Sequence, residues 1–254
     1  MGNWRIKPII VGEIYCDKSL LTPYRDIGTK LWFPCLVWYL TDGEHNILVD
    51  AGFGDSQRAM QVQPGFKTKA SSSLSVILAD MDLDPSRIDM VILTHLHWDH
   101  CSDLGFLGTT RIVVQRDEIQ YAISPLSIDA IAYNSPSIGR KPCWLDRNLS
   151  FIDGDEEVLD GLLVVKTPGH TPGHQSVIAQ TEAGMYGIAA DLFPLYENMG
   201  GAATVGFHPP SCSNCEDWWR SARRFVSICD KVLPSHDPQV TEVWIPLTGQ
   251  VEYV

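Results

Sequence analysis

Short apolar runs rich in Val, Ile and Leu recur along the chain, each about the length of a strand and each closed by a polar loop. This pattern predicts a mixed α/β fold. Leu36 to Thr41 and Asn46 to Asp50 flank the turn dipeptide Asp42-Gly43 and predict a hairpin. Leu74, Ile77, Leu78 and Met81 fall at helical spacing, and Pro85 stops that helix. Strands are predicted at Asp89 to Leu93, Leu162 to Lys166, Ser176 to Gln180 and Met185 to Ala190, with helices at Asp117 to Ile123 and near Asp129. Cys215 to Cys229 is the most helix-like segment: Trp218, Ala222, Phe225 and Cys229 form one stripe, with Arg220, Arg223 and Arg224 largely off it. The stretch from Glu197 to Asn214 is rich in Gly, Pro and Ser and predicts a long loop, a feature that is often functional inside a domain. No linker or repeat divides the chain, so a single domain over 1–254 is expected.

Composition narrows the setting. Of 254 residues 44 % are apolar and 20 % charged, the balance of a folded chain. The net charge of −12 repels a phosphate backbone and argues against nucleic acid as partner. No apolar run approaches the roughly 20 residues of a membrane span. Lys7 and Pro8 interrupt the place where a signal peptide needs an apolar core, and Ile6 stands where a myristoylation signal needs Ser or Thr, so a cytoplasmic location is expected. Seven irregularly placed cysteines fit reduced thiols better than a disulfide framework. Cys212 and Cys215 form one CxxC, but a structural zinc knuckle needs a second pair, and the nearest candidate is Cys229 alone.

The chemistry concentrates in Val91-Ile92-Leu93-Thr94-His95-Leu96-His97-Trp98-Asp99-His100. An apolar strand delivers three histidines and an aspartate within six positions, the ligand types of zinc and similar divalent ions. His95 and His97 can reach one ion from a tight loop, and Asp99 and His100 a second position close by. Two further strands run into histidines, at Pro168-Gly169-His170-Thr171-Pro172-Gly173-His174 and Ser235-His236-Asp237, and the strand ending at Ala190 releases Asp191, a carboxylate able to bridge. Ligands gathered at strand ends define one crevice, the usual place for a site in layered α/β proteins. The candidate metal ligands are His95, His97, Asp99, His100, His170, Asp191 and His236.

With THLHWDH, PGHTPGH, an Asp after a strand and a late Ser-His after another, the sequence resembles the metallo-β-lactamase superfamily over nearly its whole length. Within it, the complete ligand pattern and the stretch Thr167 to Ser176 are most similar to the N-acyl homoserine lactonases and related lactone hydrolases. The resemblance implies an αββα sandwich with a dinuclear metal site at the sheet edge. It implies that His95, His97 and His170 hold one ion, that Asp99, His100 and His236 hold the other, and that Asp191 bridges two divalent ions, Zn2+ by donor type. Asp50 matches a buried acid that supports the ligand loops, and His174 a packed or supporting histidine rather than a ligand. The lactonases carry a tyrosine three residues beyond the bridging Asp, where this chain has Pro194; Tyr196 and His208 are the candidates to replace that hydrogen-bond donor.

Two adjacent ions imply a bridging hydroxide as nucleophile and a polarised substrate carbonyl, with Asp99 shuttling the proton to the leaving oxygen. The expected reaction is the opening of a lactone ring, or cleavage of a related carboxylic ester, in a small-molecule substrate. The alternative is another ester class on the same scaffold: a phosphotriester, a sulfate ester or a thioester. Candidate pocket walls are Tyr24, Trp32, Phe33, Trp98, Tyr133, Tyr196 and Phe207.

Overall fold

The computed structural model describes residues 3–52, 66–200, 212–244 and 252–253. Twelve strands build two sheets. The first orders β4 (Lys67–Ala70), β1 (Arg5–Asp17), β2 (Lys30–Thr41), β3 (Asn46–Val49), β5 (Met90–Ile92), β6 (Arg111–Gln115) and β7 (Leu149–Ile152) side by side. It is antiparallel from β4 to β3 and parallel from β3 to β7. The second orders β12 (Lys231–Pro234), β11 (Gly184–Ala190), β10 (Gln175–Thr181), β9 (Leu162–Lys166) and β8 (Glu156–Leu159), antiparallel except for β11 with β12. A short β13 (Val243–Trp244) pairs with β14 (Glu252–Tyr253).

Alternation along the strands sorts the apolar side chains into layers. Ile47 and Val49 of β3, Met90 and Ile92 of β5 and Val113 of β6 face Val164, Val177, Ile188 and Leu233 of the second sheet. The residues between them, Leu48, Val91, Ile112 and Val114, point the other way. There they meet α1 (Leu74–Asp80) through Leu74 and Leu78, and α3 (Arg116–Ile123) through Ile119 and Ala122. On the far side of the second sheet, α5 (Cys215–Ile228) packs Trp218, Ala222 and Phe225 against Val165, Ile178, Ala189 and Val232, with Cys229 beside them. The order of layers is helix, sheet, sheet, helix, as expected for the αββα sandwich.

The predicted hairpin, the helices over α1, α3 and α5, and β5, β9, β10 and β11 all form within a few residues of their expected bounds. Three readings change. Pro8 and Gly12 hide β1, the longest described strand, from a β pattern; the register shifts between Ile10 and Gly12, and Pro8 lies where β1 is an edge, outside the Gly12 to Tyr15 stretch that β4 pairs. The segment near Asp129 forms hydrogen-bonded turns rather than a helix. The long loop expected from Glu197 begins with a helical turn, α4 (Tyr196–Met199), where the Leu195 N–H donates to Asn198 Oδ1; 201–211 lie outside the described residues. Among the described residues, no helix is long and apolar enough to cross a membrane.

Candidate metal centre

The ends of β5, β9, β11 and β12 open on one edge of the two sheets, and each is followed within a few residues by a candidate ligand. β5 leads to His95, His97 and the short α2 (Trp98–Cys101), which carries Asp99 and His100. β9 leads to His170, β11 to Asp191 and β12 to His236. Ala190 has a left-handed φ of 49°, turning the chain sharply so that Asp191 leaves the strand toward the edge.

Among the described residues, three donor groups result: His95, His97 and His170; His95, His100 and Asp191; and Asp99, His100 and His236. His170 Nε2 lies 3.2 Å from His95 Nε2 and 3.1 Å from His97 Nδ1. Nitrogens at about 2.0–2.1 Å from a tetrahedral zinc stand about 3.3 Å apart, so this spacing fits a shared ion. Asp191 presents one oxygen to each side. Oδ2 lies 3.4 Å from His170 Nε2, and Oδ1 lies 3.3 Å from His100 Nε2 and 3.2 Å from His236 Nε2. Asp99 Oδ2 stands 3.6 Å from His100 Nε2 and 3.8 Å from His236 Nε2. Among the described residues His100 Nε2 makes no well-formed hydrogen bond, and its polar neighbours are the carboxylates of Asp191 and Asp99, groups that would share an ion with it.

The electrostatics agree. Burial, then the neighbouring imidazoles, hold His95 and His97 well below the ordinary histidine range, so both present lone pairs. Burial opposes charge on His100 and His236, yet the carboxylates around them win and raise both well above it. Burial pushes the Asp191 carboxyl up, but His100 and His236 hold it well below the usual carboxylate range. Protons stand here where divalent charge would stand, and the residues fit two ions.

A ring of partners fixes the donors. Asp50, buried and at a left-handed φ of 65°, lies 2.8 Å from His100 Nδ1 and accepts from the Thr94 N–H and hydroxyl at 2.8 and 2.9 Å. This is the supporting role expected of it. His236 Nδ1 donates to the Pro34 carbonyl at 2.8 Å, and the Ser235 hydroxyl to Asp191 Oδ1 at 2.6 Å. His174 is buried, with Nδ1 at 3.1 Å from the Thr167 carbonyl and its ring 5.3 Å from that of His95. Burial, then His170, push its pKa down to about 3, so it packs as a neutral ring. Cys101 turns its thiol to the carbonyls of Leu96 and His97 at 3.4 and 3.3 Å, as a small buried filler.

Sequence reasoning missed Glu118. Fully buried on α3, its Oε1 accepts from the Leu96 N–H and the Tyr133 hydroxyl, both at 3.0 Å, and its Oε2 from the Thr171 hydroxyl at 2.7 Å and the Gly173 N–H at 3.1 Å. One carboxylate thus ties the His95–His97 loop to the His170 loop. It also holds Tyr133, whose ring stands edge-on to His97 at 4.7 Å between centroids. A helix acid at the end of a strand carries no sequence signal for this duty.

A cavity of about 440 Å³ opens above His97, Asp99, His170, Asp191 and His236. Of the expected wall residues, Phe33 and Trp98 line it. Tyr24 is 91 % exposed, Trp32 packs its ring tilted against that of Tyr15, and Tyr133 stands edge-on to His97. Tyr196, expected to offer its hydroxyl, is not among the lining residues: its ring packs against the core between the sheets and its N–H donates to Asp237 Oδ2 at 2.9 Å. His208 and Phe207 lie outside the described residues.

Residues 31–234 match the sequence model of the Metallo-beta-lactamase superfamily. The chain belongs to that superfamily. It is 30 % identical over 200 residues to the N-acyl homoserine lactonase of Bacillus cereus, an alignment covering 74 % of this chain and 75 % of the relative. Among solved structures it superposes with a TM-score of 0.78, at 24 % identity and covering 94 % and 95 % of the two chains, on an N-acyl homoserine lactone hydrolase holding N-hexanoyl-L-homoserine at its catalytic metal centre. A dizinc quorum-quenching lactonase superposes with a TM-score of 0.69, at 16 % identity and covering 100 % and 94 %. The fold is that of these enzymes, and the chain is a metal-dependent hydrolase of the superfamily.

Proposed function

We propose that the protein is a dinuclear zinc lactonase that opens the ring of an N-acyl homoserine lactone or a kindred lactone to the hydroxy acid. The carrying observation is Asp191, with one carboxylate oxygen toward His170 and the other toward His100 and His236 at the floor of a largely apolar cavity. His95, His97 and His170 would hold one ion and Asp99, His100 and His236 the other, with Asp191 shared. Ions bound there supply an activated water at neutral pH and polarise the ester carbonyl.

The chain's own groups do the rest. Phe33, Trp98 and Ile131 wall off bulk water and pack on the substrate's carbon skeleton. Asp99 lines the cavity, so its carboxylate takes the proton of the attacking water and returns it to the ring oxygen as the C–O bond breaks. No serine or cysteine nucleophile is needed. The lactonase similarity of the B. cereus relative and the product-bound neighbour support lactones over other esters.

The test is elemental analysis of the purified protein with proton release from a panel of lactones, thioesters, sulfate esters and phosphotriesters. About two ions per chain and turnover of lactones support the reading. Turnover of phosphotriesters or thioesters, with lactones inert across acyl lengths, overturns it.

A further inference from the structure

Among the described residues, and apart from the candidate ligands, the cavity wall holds one carboxylate, the half-buried Asp129, and it shares that wall with apolar residues such as Leu21, Ile131, Ala132 and the exposed Ile128. Its Oδ2 accepts the Tyr121 hydroxyl at 2.5 Å, and among the described residues Oδ1 accepts from no protein group. Ring packing and backbone hydrogen bonds connect this wall to the metal centre. Tyr121 stands edge-on to Tyr133 at 5.5 Å between centroids, and Tyr133 edge-on to His97 at 4.7 Å. The Trp98 N–H donates to the Ala132 carbonyl at 2.9 Å, and the Tyr133 N–H to the Asp129 carbonyl at 3.3 Å, which fastens the turn carrying Asp129 to the ligand loop.

An ionised carboxylate accepts hydrogen bonds and donates none. A substrate that expels water from this wall must either supply a donor to Oδ1 or leave a charged acceptor desolvated beside hydrocarbon. We propose that Asp129 is a specificity-determining residue: Oδ1 accepts the hydrogen bond of an N–H or O–H group carried next to the ring. It thereby selects donor-bearing lactones, such as α-acylamino lactones, and rejects those with a plain alkyl substituent. This inference rests on the lactonase reading and adds to it a feature of this chain's own wall.

The experiment compares two ring-opening substrates on the zinc-loaded enzyme: N-hexanoyl-α-amino-γ-butyrolactone, and its analogue with CH2 in place of the N–H. Wild type should favour the N–H substrate by about 10- to 100-fold in kcat/KM, the range for a hydrogen bond to a charged group. In Asp129→Ala the ratio should fall to near one, with the analogue gaining as the desolvation penalty disappears. Asp129→Asn, nearly isosteric and still an acceptor, should keep an intermediate ratio, and Tyr121→Phe, which leaves the carboxylate in place, should keep most of it. Equal ratios in wild type and all three variants overturn the role of Asp129 while leaving a lactonase. A loaded wild type that opens neither lactone overturns the lactonase reading and this inference with it.

Discussion

Glu118 shows how much one side chain governs here. Four donors from three segments converge on a carboxylate that has no cationic partner among the described residues, and burial pushes its carboxyl pKa up against their pull. Glu118→Gln replaces an acceptor oxygen by an NH2 that faces N–H and O–H donors, leaving buried groups unsatisfied at about 1–3 kcal/mol each. The ligand loops then lose their common anchor. Chelator competition should show affinity for the ion at His95, His97 and His170 reduced by about 10- to 100-fold, the usual effect of losing an outer partner. Thr171→Val, which removes one donor and leaves the carboxylate, should cost less on the same measurement. Wild-type affinity in both variants, with only a lower Tm, would reduce Glu118 to a packing role. The cluster itself was legible, because His95, His97, Asp99 and His100 crowd into six positions after an apolar run and the structure brings them together. Glu118 was not, because it acts through contacts across 15 to 55 residues of chain that no local spacing encodes.

At the scale of elements, the decisive features are close approaches of loops to helices. A Cβ at Gly173 would stand 2.1 Å from the Glu118 backbone nitrogen and 2.5 Å from its Cα, where the start of α3 abuts the His170 loop. A Cβ at Gly169, whose φ is 137°, would stand 2.3 Å from the backbone of Trp218 on α5. Backbone atoms cannot rotate away as side chains can. Gly173→Ala must therefore push the loop off α3, at a cost of about 1–3 kcal/mol typical of overpacking, and should weaken metal binding together with stability. Gly105→Ala, where nothing lies within 4 Å, is the control and should stay near neutral. Urea denaturation midpoints compare the two, and an unchanged midpoint for Gly173→Ala would show that the loop yields freely. The PGHTPGH spacing announces these glycines as turn formers, but which helix each meets follows only from the packing of layers. Strand β1 was illegible for a different reason: Gly12 is tolerated at a register shift against β2, and Pro8 where β4 does not pair with the strand. The stripe on α5, by contrast, was legible through Trp218, Ala222 and Phe225, since a helix covering a single sheet face keeps a 3.6-residue period, while Cys229 stands just past the helix in extended backbone.

The whole molecule brings ends of both sheets to one edge, so an ion there fastens one sheet to the other. Its removal should be felt globally. Saturation at about 100 times Kd contributes about 2.7 kcal/mol to the folded state, and a chelator should take that away as a lower Tm restored by zinc. The pH dependence follows from the protons that occupy the site without metal. His100 and His236 are held well above the ordinary imidazole value of 6.5 by Asp191 and its neighbours, so each still carries a proton at neutral pH and must release it to bind an ion. His95 and His97, held well below that value, have no proton to release. Affinity should therefore rise with pH, and the rise should continue above pH 6.5 until the raised pKa values are passed. Each displaced proton adds up to about a tenfold change per pH unit. Chelator competition at intervals from about pH 6 to pH 9 measures this slope. An affinity that levels off once ordinary histidines are neutral would show that His100 and His236 are not the groups exchanging protons for metal, and the assignment of the Asp99, His100 and His236 position would fall with it.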